Sequence, residues 1–120
     1  MIYHMVPTAI WQALAPQEPY TADTLVTEGF IHCTREPDRL IWVANQFYRE
    51  IVGEVTILVI DPDAVHAEVR WEQADGHLFP HVYGPINRDA IRMTLPFPRD
   101  MDGMFLPLDG DGLAMNILNI

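Results

Sequence analysis

Short blocks of apolar residues punctuate this chain, and the period of each block predicts an element. Residues 1–6 (Met-Ile-Tyr-His-Met-Val) read as a first strand ended by Pro7. Alternation puts Ile2, His4 and Val6 on one face and Tyr3 and Met5 on the other. Thr8 is placed to cap a short helix whose Ile10, Trp11 and Leu14 share a face. Residues 15–28, with Pro16 and Pro19, read as a surface loop, and residues 29–33 as a second strand entered through Gly29. The clearest helix follows. Thr34 or Glu36 is its cap, Pro37 suits its first turn, Leu40, Val43, Ala44, Phe47 and Ile51 form its inward face, and Gly53 is its stop.

Residues 54–60 are almost wholly apolar and β-branched, as expected of a central strand covered on both faces. Asp61-Pro62-Asp63 turns the chain, and residues 67–72 alternate as a strand with one wet face. Residues 73–80 read as a loop around Asp75-Gly76, and residues 81–83 as a short strand broken by Gly84-Pro85. One helical turn over 85–90 and a last strand over 90–95 complete the pattern, while 99–120 read as either a tail or an extra strand. About six short strands and two main helices, mixed rather than alternating, predict an α+β fold.

Composition narrows the function. Of 120 residues, 17 are acidic against seven arginines, there is no lysine, and the net charge is −10. Such a surface repels phosphate backbones and anionic lipids, so neither nucleic acid nor membrane is an expected partner. The lack of lysine excludes Schiff-base and P-loop chemistry. The single cysteine, Cys33, permits no internal disulfide and no multi-thiolate zinc site; with no visible signal peptide, a cytoplasmic protein is expected.

Three histidines lie on strand-like stretches, where a side chain's direction is well fixed: His4, His32 and His81. His32 precedes the longest helix, so it could hold a phosphate together with the backbone near Thr34 and Arg35 or Arg39, or it could be a buried residue bonded to a carbonyl. His4 shares a face with two aliphatics and needs a partner. His81 and Tyr83 share a face between the rigid Pro80 and Gly84-Pro85. Glu72 is the acid placed to orient a histidine or stabilise a developing cation, unless Arg70 and Glu72 only solvate a sheet face. His66 and His77 read as exposed. Cys33 points away from His32 into the core. Asp109-Gly110-Asp111-Gly112 lacks the later ligands of a calcium loop.

The segments Ile2-Tyr3-His4, Glu28-Gly29-Phe30-Ile31-His32-Cys33-Thr34, Ala44-Asn45-Gln46-Phe47-Tyr48, Val69-Arg70-Trp71-Glu72 and Leu78-Phe79-Pro80-His81-Val82-Tyr83-Gly84-Pro85, in that order, resemble the DUF952 family over residues 1–96. A single domain over 1–98 with a C-terminal extension over 99–120 is the implied organisation. The resemblance further implies an ADP-ribosyltransferase-like split β-sheet core that binds NAD or an ADP-ribosylated phosphate between two small sheets. By that likeness Tyr3-His4 corresponds to a ribose-binding Tyr-His-Gly motif with Met5 in place of the glycine. His32 falls where a stacking tyrosine stands in the transferases, and the final acceptor-activating position falls on His81 or Glu72. The histidine-rich set is closer in character to the RNA 2′-phosphotransferases than to enzymes that modify proteins.

The sequence therefore carries three functional expectations. One is an enzyme acting on NAD or an ADP-ribose-like nucleotide, with His32, His81 and Glu72 catalytic and Tyr3, His4, Thr34, Arg35, Arg39 and Tyr83 binding. The second is a non-enzymatic module for a nucleotide-like small molecule. The third is a metal enzyme built on His4, His32 and His81, which no close-spaced ligand pair supports; no metal is expected.

Overall fold

The computed structural model describes residues 1–108, and the discounted Asp109–Gly112 segment and the end of the expected extension lie outside them. Six strands form two three-stranded antiparallel sheets, so the α+β expectation holds. The first sheet has the order β1 (Ile2–Pro7), β3 (Val55–Ile60), β6 (Ile91–Pro96); the second has β2 (Ile31–His32), β5 (His77–Val82), β4 (Val69–Ala74). The helices are α1 (Thr8–Ala13), α2 (Asp23–Thr27) and α3 (Pro37–Phe47).

All six residues of β3 are buried, as a run that is apolar but for Thr56 predicts. Its two faces serve two cores. Leu58 and Ile60 join Ile2 and Val6 against Ile31, Cys33 and Val82 of the second sheet. Val55, Ile57 and Val59 join Tyr3 against Leu40 and Ala44 of α3 and against Phe97 and Phe105. The layers are thus sheet, sheet and helix, with β1 reaching toward both sheets: Tyr3 and Thr34 exchange backbone hydrogen bonds of 2.7 and 2.8 Å.

Several expectations need correction. The loop over 15–28 contains α2, a five-residue helix too short to leave a periodic signal. The second strand is cut to two residues. The long helix stops at Phe47 rather than Gly53, while the short helix expected after Pro7 forms as α1. Its buried stripe runs through Leu40, Ile41, Ala44 and Tyr48, and Phe47, at the last turn, is 61% exposed beside Trp42. Thr8 does not cap α1; its hydroxyl bonds that of Thr56 at 2.7 Å.

The expected loop over 73–80 is instead the tip and arm of a hairpin joining β4 to β5. Asp75 (φ 50°) and Gly76 (φ 80°) form its two-residue connection, which needs left-handed backbone at both positions. Pro80 sits in the middle strand of this sheet without breaking it. Tyr83 donates to the Glu68 carbonyl at 2.8 Å, so by alternation the N–H that Pro80 lacks would point away from β4, toward β2. There β2 has already ended, and the Pro80 carbonyl still accepts from Cys33 at 3.1 Å.

The chain continues past β6 into the second core. Phe105 is buried, the Asn45 side chain brackets its backbone with hydrogen bonds of 3.0 and 2.7 Å, and Arg99 donates to the carbonyls of Ile51, Gly53, Arg49 and Gly103. Among the described residues no helix is long and apolar enough to cross a membrane.

Candidate functional site

The outer face of the second sheet gathers most of the chemistry. In the antiparallel register His32 lies opposite His81, and His81 opposite Arg70. Directly opposed residues share a face, and so do residues two apart, so Phe30, His32, Arg70, Glu72, His81 and Tyr83 stand on one side. Ile31, Cys33, Val69 and Val82 point the other way into the core. Cys33 is accordingly fully buried, and burial pushes its thiol up to about 12, which makes it inert as a nucleophile at neutral pH.

His81 and Glu72 form a pair: Nδ1 lies 2.8 Å from the carboxylate Oε1. An ionised carboxylate only accepts, so Nδ1 carries the proton, and in the neutral imidazole Nε2 holds a lone pair. That nitrogen has no hydrogen-bond partner among the described residues. The Tyr83 hydroxyl donates to the same Glu72 oxygen in a short contact. The Tyr83 bond first, and the His81 bond second, hold the Glu72 carboxyl below the usual carboxylate range. The same bond raises the Tyr83 hydroxyl above its ordinary value. Arg70 lies 4.4 Å over the Tyr83 ring and pairs with Glu68 at 2.8 Å.

A second histidine and carboxylate stand beside the first. His32 Nε2 is 3.2 Å from Glu28 Oε2, and the His32 and His81 ring centroids are 5.3 Å apart. Phe30 covers both: it stacks on His81 at 4.1 Å and leans on His32 at 4.6 Å, leaving His81 only 6% exposed.

His4 has a different part. Its Nδ1 is 2.6 Å from the His32 carbonyl and its Nε2 is 2.7 Å from the Tyr20 hydroxyl. A carbonyl accepts only, so Nδ1–H donates and Nε2 receives the tyrosine proton. Burial, with a smaller contribution from nearby His32, lowers His4 to about 4, which keeps the ring neutral and this tautomer in place. Both nitrogens are engaged, so neither is free for a ribose or a metal. Among the described residues no group of three or more His, Cys, Asp or Glu side chains comes together to hold a metal ion.

A cleft of ≈ 480 Å³ opens between β1, the 20–24 segment and α3. Tyr3, His4, Thr34 and His32 border it, so His32 joins the cleft to the histidine face, while His81, Glu72 and Tyr83 stay outside. Arg35 and Arg39 are not among its walls. Arg35 lies 5.9 Å over Trp71 and Arg39 lies 4.9 Å over Trp42, which leaves the expected phosphate clamp at the start of α3 unassembled. Sequence reasoning passed over Tyr20, Glu28 and Phe30. Glu28 and Phe30 precede His32 by four and two residues, a spacing that was visible, whereas Tyr20 reaches His4 from an irregular loop that no local pattern marks.

A family model, described as a protein of unknown function (DUF952), matches residues 5–94. The chain belongs to the DUF952 family. Among solved structures, it is similar to the protein CC0527 of Caulobacter crescentus. Its crystal structure shares 24% identity with a TM-score of 0.77, covering 94% of this chain and 97% of that one. Its solution structure shares 25% identity with a TM-score of 0.70, covering 95% and 97%. These likenesses establish a shared fold. None of the curated proteins matches the chain. The DUF952 match runs from Met5, midway along β1, to Thr94 in β6, so it contains both histidine–carboxylate pairs.

Proposed function

We propose that this DUF952 protein is an enzyme that cleaves the glycosidic bond of NAD or an ADP-ribose-like nucleotide at the outer face of its second sheet. The carrying observation is the His81–Glu72 pair, 2.8 Å apart, with an unengaged Nε2 and a second carboxylate-backed imidazole 5.3 Å away. Glu72 fixes the His81 tautomer and favours its protonated form during the reaction. His81 Nε2 takes the proton of a water or acceptor hydroxyl as its oxygen bonds to the anomeric carbon. The bond from that carbon to the leaving group breaks, and the leaving group keeps the electron pair; a pyridinium leaves neutral, and an oxygen leaving group takes a proton from His32. Arg70 is the guanidinium on this face, and its exposed pair with Glu68 is weak enough to yield to a ligand phosphate.

The two small sheets and the histidine-rich set support the likeness to ADP-ribosyltransferase-like folds. The single, buried Cys33 favours a reducing cytoplasm.

A second reading, a non-enzymatic binding module, is favoured by Phe30, which covers His81 and limits access to it. Incubation of the intact protein with NAD and with ADP-ribose conjugates, read by chromatography beside a thermal-shift titration, separates the two. Consumption that is lost in Glu72→Gln supports the enzyme. A thermal shift without consumption establishes the binding module and refutes catalysis.

A further inference from the structure

The cleft between β1, the 20–24 segment and α3 has no place in the chemistry above beyond its border at His32. Its walls are apolar and aromatic: Tyr3, Tyr20, Tyr48, Met5, Ile10, Leu40, Val43 and Ile51 carry most of it. No arginine lines it, the chain has no lysine to offer, and His4 is neutral within it. The one carboxylate among its described walls is Asp23. Burial raises both the Tyr48 and Tyr20 hydroxyls, with smaller contributions from Glu28 and Asp23 at Tyr48 and from Cys33 and then Asp23 at Tyr20. Thr24 borders the same space, and its Oγ1 is the side-chain polar atom that is buried without a hydrogen-bond partner among the described residues. A volume of ≈ 480 Å³ lies within the ordinary range of small-molecule sites.

We propose that this cleft is a binding site for a small organic monocation with an apolar or aromatic body. A cation gains from the Asp23 carboxylate and from the electron-rich tyrosine rings, and its body replaces water against the aliphatic wall. An anion meets no positive partner and a like charge at the rim. The site is independent of turnover at His81. It would select the charge of whatever portion of a ligand enters beside His32.

The test uses three ligands of one shape, benzyltrimethylammonium, benzyl alcohol and benzoate, titrated by calorimetry into the full chain at low salt. Backbone NMR shifts locate the site. The cation is expected to bind about tenfold more tightly than the alcohol, with shifts at Thr24, Val43 and Tyr48 and none for benzoate. Asp23→Asn should remove most of that preference. Val43→Phe, which fills the cleft, should abolish binding of the cation, while His81→Ala, which ends turnover under the proposed function, should leave it intact. Equal binding of cation and alcohol, tighter binding of benzoate, no binding of the cation, or shifts confined to the outer sheet face would each overturn the proposal. Those outcomes leave the His81 chemistry standing, and loss of turnover alone leaves the cleft standing.

Discussion

His4 donates its Nδ1–H to the carbonyl of His32 across 2.6 Å, and so a buried residue of the first sheet holds the backbone of the second at the residue where the cleft meets the histidine face. The Tyr20 hydroxyl completes the arrangement at Nε2, and Tyr20 is itself anchored by paired backbone bonds of 2.9 Å to Ile86. His4 is therefore a positioning residue. It fixes where His32 stands without touching a ligand through either nitrogen.

Removing that imidazole leaves two buried polar groups without partners. His4→Ala is expected to destabilise the fold by about 2–4 kcal/mol, and Tyr20→Phe, which strands only the His4 Nε2, by about 1–2 kcal/mol. Urea unfolding checks both values. A His4→Ala variant as stable as the parent would show that the contact is incidental.

The same residue gives stability a pH dependence. His4 falls to about 4 in the folded protein from 6.5, so between those values the unfolded chain binds more protons. Its contribution is therefore complete above pH 6.5 and is lost as pH falls toward 4. Midpoints of unfolding measured across that window should drop in the parent more steeply than in His4→Gln, which has no proton to take up. Parallel slopes would contradict the burial of a neutral ring.

Glu72 offers a local readout on the opposite face. The Tyr83 hydroxyl is the larger cause of its depressed carboxyl, with His81 second. In Tyr83→Phe the Glu72 carboxyl should titrate at a higher pH than in the parent, as followed by carboxyl-carbon NMR. An unchanged titration would mean that the hydroxyl does not bond Glu72 in solution.

Much of this arrangement was legible in the residues. The almost wholly apolar β3 run announced a strand buried on both faces, and the alternation around Tyr3-His4 assigned the correct sides; Arg70 and Glu72 share a face as alternation predicts, but Trp71 between them is exposed rather than in the core. Other parts were hidden for identifiable reasons. Asp75-Gly76 carries a two-residue hairpin signal, but residues 73–80 read as a loop, and Pro80 fits within β5 only because β2 ends early. His4 found its partner through Tyr20, sixteen residues away in an irregular segment. Arg35 and Arg39 were plausible anion ligands by position alone. Their guanidinium groups lie instead over Trp71 and Trp42, a choice made by tertiary neighbours rather than by sequence spacing.

Residues beyond β6 take part in the core. Phe105 fills the space between α3 and β3 beside Phe97, with ring centroids 4.6 Å apart. Phe105→Ala is expected to cost about 3–5 kcal/mol, and a chain ending at residue 98 should unfold at markedly lower urea. Full stability of that shortened chain would show that residues 99–108 are dispensable.

The central claim rests on one nitrogen, His81 Nε2. Turnover of NAD and ADP-ribose conjugates by the parent and by His81→Ala, compared at equal folded concentration, tests it most directly. The account predicts consumption by the parent and a loss of at least about a hundredfold in the variant, the scale of a general base removed. Undiminished turnover by His81→Ala, or no consumption of these nucleotides by the parent, would contradict it.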